Sequence, residues 1–108
     1  MKPPKKIKVG AYKFKVVTWD RPMCHDKDAF GQFLPRQGQI ALAPDLYPAL
    51  LLDTLIHEIN HAIYFVYNIH DKDEEERTVH TISSGWTQVF MDNPKLLNFI
   101  QNIVNESP

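Results

Sequence analysis

His57, Glu58 and His61 stand in the run DTLIHEINHAIYFV (53–66), and their types and spacing suit one kind of chemistry. At roughly 100° per helical residue, side chains four positions apart lie about 40° from each other on one face, so both imidazoles can reach a single ion. Neutral imidazole is a good zinc donor, and a carboxylate beside the pair can take a proton from water that the metal activates. H-E-x-x-H is short enough to arise by chance, and a helix's polar face that happens to carry two histidines is the competing explanation. The surrounding residues decide between them.

Between Pro48 and Asn68 there is neither proline nor glycine, and apolar residues recur at 52, 55, 56, 59, 63 and 66, the spacing of one helical face. Leu52, Leu55, Ile59, Ile63 and Val66 should be the buried side, with the histidines turned away from it. The polar turn NIHDKD (68–73) leads to EEERTVHTISSGWTQVFM (74–91), where Val79, Ile82, Trp86, Val89 and Phe90 form a second stripe. Gly85 costs about 1 kcal/mol there against alanine and marks a position of close packing. So short a link predicts two antiparallel helices. Asn93 and Pro94 end the second, and KLLNFIQNIV (95–104) predicts a third with Leu96, Leu97, Ile100 and Val104 inward.

Upstream, Tyr12, Phe14 and Val16 alternate with Lys13 and Lys15 in YKFKVV (12–17), the period of a strand with one buried face. IKV (7–9), across Gly10, is its hairpin partner. WDRPMCHDKDAFG (19–31) reads as a connection and QIALAP (39–44) as a further strand.

Two histidines do not close a catalytic zinc site, which usually takes three protein donors. An antiparallel second helix would bring its first turn, with Glu74, Glu75 and Glu76, alongside the later half of the first. Periodicity favours Glu75, which aligns with Val79, Ile82 and Trp86, whereas Glu76 sits three residues before Val79. An acidic run also simply suits a helix N-terminus. His80, one turn after Glu76, could orient a donor, steady an oxyanion or sit on the surface, and Tyr12, Tyr47 and Tyr64 are further candidate oxyanion donors. Cys24, His25 and Asp26 resemble a nucleophilic set only in being neighbours along the chain.

The chain of 108 residues, 44% hydrophobic and 23% charged, predicts a single domain over 1–108, with residues 1–6 as a flexible basic tail. No apolar stretch approaches the roughly 20 residues of a membrane span, and the start shows no export leader. Cys24 is the sole cysteine, which suits a reducing compartment, so a cytoplasmic location is expected. Net charge is −1, with six lysines ahead of Asp20 and the acidic run DKDEEE at 71–76. A basic start without a reader motif gives little reason to expect nucleic acid.

HEINH followed by the EEERTV helix start resembles the zincin-like metallopeptidases. The stretch from Ile7 to Pro94 is similar to small phage and prophage proteins of that class, and in pattern to the ImmA/IrrE-type and SprT-like families. In ImmA/IrrE-type sequences the ligand glutamate precedes a segment E-x-x-A-N-x-F-A, matched here by Glu76, Val79, His80, Ile82 and Ser83, with Val79 and His80 replacing the Ala-Asn pair. The resemblance implies an α+β fold, a small N-terminal antiparallel sheet packed on a helical hairpin that carries H-E-x-x-H, with a short C-terminal helix. It also implies zinc held by His57, His61 and Glu76, and Glu58 as general base and then proton donor in hydrolysing a peptide or unfolded protein. QIALAP would be the sheet edge that holds extended peptide by backbone pairing. The alternative is a binding module that uses a zincin scaffold to engage a phage or host protein without cleavage; retention of Glu58 favours the enzyme.

Overall fold

The N-terminal alternation folds as a hairpin: β1 (Lys6–Val9) and β2 (Tyr12–Thr18) pair antiparallel, with Ile7 opposite Phe14 on the buried side. Gly10 makes the reversal at φ 59°. This is a computed structural model, and it describes residues 2–20, 30–70 and 75–106, leaving aside the side chains of Glu75, Glu76 and Val79. The expected connection around Pro22 and Cys24 lies outside the described residues. The described residues begin within the expected tail of residues 1–6. Lys6 opens β1, Pro4 is buried, and the Lys5 carbonyl accepts from the Val16 N–H at 2.8 Å.

A second hairpin follows, β3 (Gly31–Leu34) and β4 (Gln39–Leu42), joined by the turn Pro35–Gln37 with Gly38 at φ 64°. The strand order is β1-β2-β4-β3, with β2 and β4 parallel and the other two pairs antiparallel. The sheet is therefore mixed, not antiparallel as expected, and QIALAP is not its edge. β4 instead lies between β2 and β3, and its Ile40, Ala41 and Leu42 are buried in succession. Gly31 and Gln32 suit the outside, so β3 is the outer strand among the described residues.

Three helices cover one face: α1 (Pro48–Val66), α2 (Glu75–Asp92) and α3 (Pro94–Glu106). Leu55, Ile59, Ala62 and Ile63 of α1 pack on Ile7, Val9, Phe14, Ile40 and Leu42 of the sheet, and Val89, Leu96, Phe99 and Ile103 close the core. On α3 the inward face is Leu96, Phe99 and Ile103, whereas Leu97 and Val104, expected inside, are 46% and 60% exposed. Both stripes have helical spacing. Asn93 selects between them: it leaves no loop between α2 and α3, and its buried amide ties the junction to β1 and so fixes the rotation of α3. The Asn93 Oδ1 accepts from the Lys8 N–H at 2.8 Å, and its Nδ2 donates to the carbonyls of Lys8 and Val89 at 2.9 and 2.7 Å.

The two longer helices do not pair as the expected antiparallel hairpin. Ile82 shares a cavity with His57, Asn60, His61 and Tyr64; a Cβ on Gly85 would stand 2.8 Å from Ile63; and Gln88 accepts from the Tyr67 hydroxyl at 3.2 Å. The later half of α2 thus meets the later half of α1, where antiparallel packing would put its first turn. Gln88 also accepts from the Gly10 N–H at 2.7 Å, which ties that end of α2 to the β1–β2 turn. Among the described residues no helix is long and apolar enough to cross a membrane.

Candidate metal centre

Pro48 opens α1, where its fixed φ and missing N–H cost nothing, and the chain leaves the helix through Tyr67 and Asn68, the latter at φ 54°. Thr54, Leu55, Glu58, Ile59, Ala62 and Ile63 form its buried face, and His57 and His61 stand exposed beside it. Their Nε2 atoms are 3.2 Å apart, with ring centroids at 4.8 Å and ring planes at 78°. Two nitrogen donors on a tetrahedral zinc, each at about 2.0–2.1 Å, would be roughly 3.3 Å apart. The separation matches what two donors on one ion would need, and it is equally the distance of a hydrogen bond between the rings.

Glu58, one residue round the helix, turns toward the sheet and is only 5% exposed. Burial is the main influence on its carboxyl and raises its pKa above the ordinary value; His57, His61 and a hydrogen bond from the Phe33 backbone pull the other way. Gly31 makes room for it. A Cβ at that position would stand 2.7 Å from Thr54 Cγ2 and 3.1 Å from Glu58 Oε2. The outer strand thus lies close over α1, with the carboxylate beneath it.

The hydrogen bonding of β3 also sets what it offers outward. The Ala43 N–H donates to the Phe30 carbonyl at 2.7 Å, so Phe30, Gln32 and Leu34 bond inward to β4, and the backbone groups of Gly31 and Phe33 point to the outer side. Phe33 donates there to Glu58. Along this strand runs a groove of about 450 Å³ lined by Gly31, Gln32, Phe33, Pro35, His57, Glu58, His61 and Phe65. A smaller cavity of about 320 Å³ continues it past Phe30, Leu50 and Asp53.

The structure brings His57, Glu58 and His61 together. Glu75 and Glu76 both lie in the first turn of α2, with side chains outside the described set, and Glu74 lies outside the described residues. By helical register, position 75 falls on the face of Ile82 and Trp86, and position 76 about 100° round from it. Among the described residues no third histidine, cysteine, aspartate or glutamate joins the pair. His80 is exposed and is not among the described residues lining the cavities at the histidines. Of the tyrosines only Tyr64 shares a cavity with the pair, whereas Tyr12 and Tyr47 are 58% and 65% exposed. Cys24, His25 and Asp26 are outside the described residues.

Sequence reasoning missed the strand over the site, Gly31–Leu34. Its signal was available: two short runs, GQFL and QIAL, flank the glycine-containing link PRQG. No protein-family model, curated protein or solved structure matches the chain.

Proposed function

We propose that the protein is a zinc-dependent peptidase of the zincin type, acting on peptide or unfolded chain laid along β3. The observation that carries this reading is the convergence of the His57 and His61 Nε2 atoms to 3.2 Å beside a buried, pKa-raised glutamate, under a strand whose backbone faces outward. Bound zinc would polarise the scissile carbonyl and make water more acidic. His57 and His61 would hold it. For the third donor the resemblance gives Glu76 and the helix face of Ile82 and Trp86 gives Glu75; the packing of α1 on the later half of α2 adds support to neither.

Glu58 does the proton work. Its carboxylate takes a proton from the attacking water, whose oxygen bonds to the carbonyl carbon, and delivers that proton to the amide nitrogen as the C–N bond breaks. The backbone of Gly31 and the Phe33 carbonyl would hydrogen-bond the substrate backbone, as a strand added to the sheet, while the Phe33 N–H stays on Glu58.

The test pairs metal content with turnover. Protein purified without a histidine tag should carry about one zinc per chain by mass spectrometry, and His57→Ala or His61→Ala should lose it. Glu58→Gln should keep the zinc yet cut hydrolysis of unfolded substrates by roughly 10²- to 10⁴-fold. Zinc in place with no cleavage by wild type, and equal binding of a partner by both forms, would leave a zincin scaffold used for binding.

A further inference from the structure

Strand pairing gathers four lysines on the face of the sheet that the helices leave uncovered. Ile7, Val9 and Phe14 point into the core, so the alternating Lys6, Lys8, Lys13 and Lys15 point the other way. The register sets Lys6 opposite Lys15 and Lys8 opposite Lys13. Neighbours across the strands stand about 5 Å apart at Cβ, and those along a strand about 7 Å. Lys6, Lys13 and Lys15 are exposed, and among the described residues their side chains have no hydrogen-bond or ion-pair partner. Lys8 has one, Asp92, reached round the β1 margin. We propose that this face docks the protein on an anionic lipid surface.

Like charges directly opposite each other destabilise a sheet, and here two such pairs lie in adjacent rows. An anionic partner removes that repulsion. The charge is also segregated along the chain, since residues 1–19 hold six of the 12 Lys and Arg and none of the 13 Asp and Glu. A molecule of net charge −1 has no overall attraction to an anionic surface, so attraction depends on presenting this one face.

The chemistry of the face selects among polyanions. A peptide added as a strand needs a free edge, but at β1 the Lys8 N–H and carbonyl bond to the Asn93 amide, and β2 is paired on its other side with β4. Nucleic-acid bases are read by an element that enters a groove or by exposed rings that stack on them. This face is a flat pair of strands, and Tyr12 falls with Phe14 on the helix side. Its cations are all lysine, compact point charges without the planar fork with which arginine grips one phosphate. A duplex is convex and meets a flat face along a line, whereas a bilayer meets all four lysines at once. The order β1-β2-β4-β3 puts β3 and the histidine groove at the opposite margin, so docking leaves the groove open. The proposal is independent of the peptidase reading.

Vesicle flotation with the full chain tests it. In about 50 mM salt the protein should float with phosphatidylcholine vesicles that contain about 30% phosphatidylserine, and not with phosphatidylcholine alone. Salt near 1 M, which screens charges beyond about 3 Å, should release it. Each lysine near the surface is worth about fivefold in partitioning, so Lys13→Gln with Lys15→Gln should lower it about 25-fold. Lys13→Arg with Lys15→Arg should retain it. Arg77→Gln with Lys95→Gln makes the same change in net charge on the helices and should leave partitioning within about threefold of wild type. The first pair should hold or raise the melting temperature, because it separates like charges, and its loss of flotation is then not unfolding.

No flotation with either vesicle, equal flotation with both, or equal loss from the two glutamine pairs overturns the proposal. So does tighter binding, per negative charge, to a DNA duplex or to polyglutamate, which would assign the face to a nucleic acid or an acidic protein.

Discussion

Glu58 and Asp92 are carboxyls displaced in opposite directions, and each makes a signed prediction. Glu58 is raised, chiefly by burial, so the metal-free folded state binds its proton more tightly than the unfolded chain does. The associated stability is complete below the ordinary glutamate value of about 4.3 and is lost as pH rises through the higher folded value. Urea unfolding of chelator-treated protein should therefore find Glu58→Gln gaining on wild type as pH rises from about 4 to neutrality; parallel curves would show that the buried charge costs nothing. Asp92 is lowered by hydrogen bonds from Gln88 and Lys8, so its contribution is present above the ordinary value and fades as pH falls through the lowered one. Lys8 and Asp92 meet at 3.1 Å with both side chains well exposed, and solvent keeps that contribution small. Zinc affinity of Glu75→Gln and Glu76→Gln, measured by competition with a chromogenic chelator, decides the third donor. Loss on Glu76→Gln alone supports the resemblance; loss on Glu75→Gln alone supports the helix face.

At the scale of elements, two glycines and an asparagine hold the strands and helices in place. Gly85→Ala gains about 1 kcal/mol of helix propensity but puts a methyl 2.8 Å from the Ile63 Cγ2, and overpacking of that kind typically costs about 1–3 kcal/mol. Thermal melting should show a net loss. Gly31→Ala should destabilise as well, and Thr54→Ser, which removes the obstructing methyl, should recover part of it. Asn93→Ala leaves the Lys8 N–H and the Val89 carbonyl without the partner it supplies, for about 2 kcal/mol and a melting temperature lower by roughly 10 °C. Elements whose pattern is local were legible in the sequence. The period of α1 gave its histidine face, the alternation of YKFKVV gave β2, and Gly85 gave the close crossing. Legibility failed where long-range contacts chose between equivalent local patterns. Leu96-Phe99-Ile103 and Leu97-Ile100-Val104 are equally helical, and only the Asn93 contacts to β1 and α2 separate them. GQFL is too short and too mixed for a period, and its place outside β4 depends on pairing with a strand already flanked by β2.

For the molecule as a whole, a metal held between α1 and the head of α2 would add a tie that the described side chains do not make. If zinc binds only the folded chain, free zinc at a hundred times its dissociation constant stabilises by about 2.7 kcal/mol, which for a domain of this size is roughly 10 °C in melting temperature. Calorimetry with and without a chelator should show that difference in wild type and not in His61→Ala. The sheet meanwhile has two unlike margins. On β1 the Lys8 N–H and carbonyl both bond to the Asn93 amide, with Gln88 Nε2 donating to the same carbonyl at 2.9 Å, so side chains stand where a neighbouring strand would be. On β3 the outward groups belong to Gly31 and Phe33, in a tetrapeptide, GQFL, without a single charge. Unprotected strands of that sort recruit other chains indiscriminately, including copies of the same protein. Among the described residues the β3 margin is thus the less protected of the two, and aggregation under crowding should be suppressed by Gln32→Lys and left untouched by changes along β1.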